Sequence, residues 1–146
     1  MLKITLDHLP EDKQHTLTEI RHLILNEIEA FTQHKASYSH SYIVWMVLFG
    51  SYARGDYVED PINGYISDFD ILVAVNGREL ADDTKLWYQI EDKTERLTPT
   101  PLNLIVHTHE EVAQWLKEGH YFLVIFVRMA FIYTLIQVKA CRNLSI

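Results

Sequence analysis

A chain of 146 residues with 48 % hydrophobic content is long enough to bury a core of its own, and one domain over 1–146 is expected. Its net charge of −7 excludes broad, sequence-blind nucleic-acid binding, which depends on clustered Lys and Arg at phosphates. The lone Cys141 rules out an internal disulfide, and the opening MLKITLDHLPEDK lacks a basic stretch followed by an apolar one, so the expected location is the cytoplasm.

In chain order, Glu11 to Gln33 predicts an amphipathic helix with Leu17, Ile20, Leu23, Ile24, Ile28 and Phe31 at helical spacing and Pro10 in the first turn. His15 and His22 lie on it without a third ligand at metal-like spacing and read as surface or core-edge residues. His34 to Ser41 is a loop. Tyr42 to Phe49 (YIVWMVLF) predicts a strand covered on both faces. Asp56 to Ile66 is too rich in Gly, Pro, Asn and Asp for regular structure, with Asp56, Glu59 and Asp60 as a solvated loop. Ser67 to Val75 is the second strand.

Glu79 to Leu97 predicts a helix turning Leu80, Trp87, Ile90 and Leu97 inward and stopped by Pro99 and Pro101. Leu102 to His107 is the third strand. Thr108 then opens a short helix whose capping box is completed by Glu111, with Gly119 at its far end. Tyr121 to Ile136 is apolar for sixteen residues but carries Arg128, too short and too charged to span a bilayer. It fits two short strands turning near Arg128 to Ala130, or one buried helix. The core is expected over 11–120, with 121–146 as an apolar C-terminal segment.

The stretch Leu48 to Val75 carries the chemistry: a strand, the Gly50-Ser51 turn with Arg54 close behind, a polar loop, and Ser67-Asp68-Phe69-Asp70. Alternate residues of a strand share a face, so Asp68 and Asp70 would project together from backbones ~6.6 Å apart. Such carboxylates repel by ~2–3 kcal/mol at an effective dielectric of 20, an arrangement that a cation resolves. Mg²⁺ commonly bridges one or two carboxylates to substrate phosphates, and a glycine turn entering a helix points backbone amides at an anion. Taken alone, Gly50 and Ser51 are a turn, Asp68 a loop cap and Arg54 a surface cation. Asp70 is harder to set aside, because ILVAV follows it and an unpaired charge in a buried strand is costly.

The pattern GSYARGD followed by SDFDILV resembles the nucleotidyltransferases of the DNA polymerase beta superfamily, most of all the minimal members paired or fused with HEPN domains. The opening LDHLPEDKQ, the stretch LNLIVHTHEEV and the later EGHYF extend the likeness to about residue 125. The resemblance implies an α/β (α+β) fold with a small mixed sheet flanked by helices. It also implies transfer of a nucleoside monophosphate, AMP in the first place, from a nucleoside triphosphate to an acceptor hydroxyl. Asp68 and Asp70 would be catalytic and hold Mg²⁺ or Mn²⁺, while Gly50, Ser51, Arg54 and Ser67 would bind the nucleotide. The implied partner is a HEPN-domain toxin, on another chain or on a part of the gene product outside this sequence, silenced by the modification. Homo-oligomerisation stays open.

The sequence departs from the family pattern at one place. The third acid, on the next strand, aligns with Asn103 in PLNLIVHT. An amide brings no charge and cannot act as a base, so two readings stand: an active nucleotidyltransferase, or a catalytically weak module that binds nucleotide or neutralises a partner by contact. His107 shares a face with Asn103 by alternation and is a candidate substitute base.

Overall fold

The computed structural model describes residues 6–34, 40–119 and 130–134. Its first element, α1 (Glu11–His34), buries Lys13, Leu17, Ile20, Ile24 and Ile28, one stripe at helical spacing. Strand β1 (Ile43–Phe49) runs directly into a five-residue helix, α2 (Gly50–Arg54). The segment expected to be irregular contains a small hairpin, β2 (Glu59–Asp60) with β3 (Tyr65–Ile66), in which Glu59 faces Ile66 and Asp60 faces Tyr65. The strand that follows, β4 (Phe69–Val75), starts after Asp68 rather than at Ser67.

The helix expected over Glu79 to Leu97 is two helices, α3 (Arg78–Ala81) and α4 (Thr84–Leu97). The break is local chemistry: Asp83 stands at the N-cap of α4 and its carboxylate accepts the Leu86 N–H at 3.1 Å, satisfying a donor that a continuous helix would have bonded internally. Leu86, Trp87, Ile90 and Thr94 form the buried stripe of α4, and Leu97, expected inside, is exposed at its end. Strand β5 (Leu102–Thr108) leads into α5 (His109–Lys117), which carries the expected capping box between Thr108 and Glu111. The last described element is β6 (Ala130–Thr134), so this part of the apolar run is strand; the rest of Tyr121 to Ile136 lies outside the described residues.

The four long strands form a mixed sheet in the order β5-β4-β1-β6, with β4 and β5 parallel and β1 antiparallel to both of its neighbours. Alternation along β4 assigns its two faces. Phe69, Ile71, Val73 and Val75 pack into the main core with α1 and α4, together with Met46 and Leu48 of β1. Leu72 turns the other way and joins Val47 in a smaller cluster edged by Trp45, Phe49, Ile105 and Trp115. Asp70 shares that second face by alternation. No described helix is long and apolar enough to cross a membrane.

Candidate active site

One row across the sheet holds the site. Phe49 of β1 lies opposite Asp70 of β4, which lies opposite Asn103 of β5. Because β1 ends at Phe49 and α2 begins at Gly50, the glycine turn falls directly against the Asp70 side chain. Gly50 has φ of 72°, the left-handed region, and a Cβ placed there would stand 2.2 Å from Asp70 Oδ2. Glycine is needed on both counts, for the backbone conformation and for the space. Among the described residues, Phe49 at the N-cap makes no side-chain hydrogen bond to the start of α2. The helix closes on Gly55, whose N–H donates to Ser51 C=O at 2.8 Å.

Asn103 Nδ2 donates to Asp70 Oδ1 at 2.9 Å. The carboxylate is thus held by the amide on one oxygen while the other faces the glycine turn. Burial is the main cause that lifts the Asp70 carboxyl above the usual range; the Asn103 hydrogen bond opposes it, the charge of Asp68 adds to it and that of Arg54 opposes it. Asp68 and Arg54 therefore share the electrostatic neighbourhood of Asp70. Asp68 is exposed just ahead of β4, not within the strand as expected, and Arg54 Nε pairs with Asp56 Oδ2 at 3.2 Å.

Ser67 has a use that the sequence did not reveal. Its Oγ accepts the Val58 N–H at 2.8 Å and its own N–H donates to Val58 C=O at 2.8 Å, closing the β2-β3 hairpin immediately beside Asp68. The Ser67 hydroxyl proton is left to donate elsewhere. His107 does not join the site. It pairs with Ala74, four residues along β5 from Asn103 and so ~13 Å away, and its ring stands edge-on to Trp115 with centroids 4.6 Å apart. Burial lowers the His107 pKa, with Glu111 opposing and Arg78 adding to that effect. His109, its neighbour in the H-x-H pair, has Nδ1 3.4 Å from Val75 C=O.

Behind the turn lies a support that sequence reasoning missed. Lys13, nearly buried on α1, donates to Glu59 Oε1 at 3.0 Å and lies 5.9 Å from the centre of the Tyr52 ring. Tyr52 of α2 is fully buried, stacks on Tyr57 with centroids 4.2 Å apart and leans on Phe69 at 4.5 Å. Glu59, expected in a solvated loop, is thus a partner of a buried cation. The signal was present in Lys13 itself, a charge in register with Leu17, Ile20, Ile24 and Ile28 on the buried stripe.

The acids at the start of β4, Asp68 and Asp70, offer carboxylate oxygens of the kind that suits a hard divalent cation completed by phosphate and water, while Asn103 turns its Nδ2 to Asp70. Among the described residues no three His, Cys, Asp or Glu side chains gather as ligands. A family model for the nucleotidyltransferase domain matches residues 25–122, more than half of the chain. The chain belongs to the nucleotidyltransferase domain family, and its mixed sheet flanked by helices is the fold that the resemblance implied. No curated protein sequence matches it.

Proposed function

We propose that this domain moves AMP from ATP to an acceptor hydroxyl, with pyrophosphate leaving, and that the acceptor is carried by a separate HEPN-type protein which the modification silences. The supporting observation is the contact between the Gly50 turn and Asp70, which sets a turn fit for phosphate against a carboxylate fit for a cation. In this reading Gly50 and Ser51 present amides and a hydroxyl to the triphosphate, Arg54 offsets its charge, and Ser67 donates its free hydroxyl proton. Asp68 and Asp70 would hold Mg²⁺ or Mn²⁺, with Asn103 orienting Asp70. When bound, the cation would neutralise phosphate charge and align the attack. The acceptor oxygen attacks the α-phosphorus, the bond to the bridging oxygen breaks with pyrophosphate leaving, and the acceptor proton passes to solvent water, since an amide at 103 cannot take it.

The Asn103–Asp70 hydrogen bond favours a second reading, in which the domain binds nucleotide and neutralises its partner by contact with little turnover. Incorporation of label from α-labelled ATP into the partner separates the two. The first reading predicts wild-type labelling that falls at least 100-fold in Asp68→Ala and Asp70→Ala, on the scale set by losing a group that stabilises transition-state charge. The second predicts labelling that appears only in Asn103→Asp. Robust wild-type turnover contradicts it.

A further inference from the structure

We infer that the β2-β3 hairpin is a docking element for the polypeptide that carries the acceptor, an inference that rests on the proposed transfer to a protein. Among the described residues, seven large hydrophobic side chains are exposed, and four of them fall between 58 and 66: Val58 at 49 %, Ile62 at 94 %, Tyr65 at 68 % and Ile66 at 38 %. Exposed apolar side chains concentrated in one place mark interaction sites, whereas scattered ones do not. The core has no use for these four. Nor is the hairpin a loose loop: Lys13 anchors Glu59 of its stem to α1, Asp60 accepts from the Asn63 amide at 2.7 Å across its tip, and Ser67 ties its base to Val58 at 2.8 Å. A tethered hairpin presents a fixed surface at lower entropic cost than a mobile one.

Its position fixes what it would meet. The base of the hairpin is Val58 with Ser67, the next residue is Asp68, and Asp70 follows by two, so a molecule resting on Val58 lies beside the reacting end of the sheet. Charge decides the class of molecule. Between Gly55 and Gly77 the chain has five acids, Asp56, Glu59, Asp60, Asp68 and Asp70, and not one Lys, Arg or His. Glu59 is offset by Lys13 and Asp56 by Arg54; Asp60 on the hairpin, with Asp68 and Asp70 beside it, leaves a negative field. A nucleic-acid strand would need unpaired cations along this surface to neutralise its phosphates; residues 55–77 supply none, and Lys13 and Arg54 beside them are each paired with an acid. A peptide with apolar side chains flanked by Lys or Arg matches it in both respects.

The test uses fluorescent 12-residue peptides of equal apolar content, each with one Ser and one Tyr, flanked by either Lys/Arg or Asp/Glu, beside a 12-nucleotide RNA. Each is titrated by anisotropy against the full chain and against the double variant Ile62→Ser with Tyr65→Ser, and ATP with Mg²⁺ is titrated separately by calorimetry. The expected result is that the basic peptide binds at least tenfold more tightly than the acidic peptide or the RNA. The double variant should lose that binding at least tenfold while its ATP affinity stays within twofold. Preference for RNA, no binding of any peptide, or equal binding by the variant overturns the inference. Absence of ATP binding by the wild type would instead overturn the nucleotidyl-transfer reading, with the peptide arm still deciding the role of the hairpin.

Discussion

A methyl group at position 50 is the smallest change that would disturb the site. Gly50→Ala forces a side chain into a left-handed backbone position and against Asp70 Oδ2, so a loss of roughly 1–3 kcal/mol is expected in chemical denaturation. Triphosphate binding should weaken with it, since the turn or the carboxylate has to move. The opposite stability effect is expected one strand away. Burial, the leading cause, raises the folded-state pKa of Asp70 above its unfolded value, so the folded chain binds more protons in the window above pH 3.8. Stability is therefore lost as pH rises through that window, and at neutral pH the ionised carboxylate is a cost. Asp70→Asn should raise the thermal midpoint at pH 7 while abolishing metal-dependent nucleotide binding, with the stability gain vanishing below pH 3.8. A midpoint that falls at pH 7 would contradict this.

At the scale of elements, pattern and chemistry differ in how well they could be read from the sequence. The α1 stripe, the β1 and β4 strands and the Thr108–Glu111 box follow from periodicity and cap chemistry over many residues or over a fixed spacing. Asn103 was placed near the acids only by the family resemblance; that it stands opposite Asp70 follows from the parallel register of β4 and β5. The hairpin was not legible, since strands of two residues carry no period to detect. The α3-α4 break was marked only by Asp82-Asp83 inside an otherwise helical run. His107 misled for a different reason: alternation fixes its face but not its distance, and four residues along a strand remove it from the site.

His107 also gives the β5-α5 junction a pH dependence. Its folded-state pKa is lowered by burial, so below the unfolded value of 6.5 the unfolded chain takes up a proton that the folded chain does not, and stability falls as pH drops. His107→Phe keeps a ring against Trp115. Between pH 6.5 and 5.5 it should flatten the fall in unfolding free energy relative to wild type by up to ~1.4 kcal/mol per pH unit, the limit for one proton. An unchanged slope would mean that His107 titrates normally.

For the molecule as a whole, the sheet acts as a frame that brings three distant parts of the chain to one end: the turn after β1, the acids at the start of β4 and the amide at the start of β5. The main core lies on the opposite face of β4, so the residues that hold the fold together are largely separate from those at the site. Tyr52 and Phe69 link the two, packing against each other in the core while Asp68 and Asp70 flank Phe69 in the chain. The proposed function requires that a triphosphate bind here through a cation held at Asp68 and Asp70. Calorimetric titration of ATP, CTP, GTP and UTP, each with and without Mg²⁺, against wild type and Asp70→Ala tests it before any acceptor is known. Saturable binding of at least one triphosphate, ATP first, that requires Mg²⁺ and is lost in Asp70→Ala is expected; no binding with Mg²⁺ present, or equal binding by the variant, would rule out a nucleotide site held through these carboxylates.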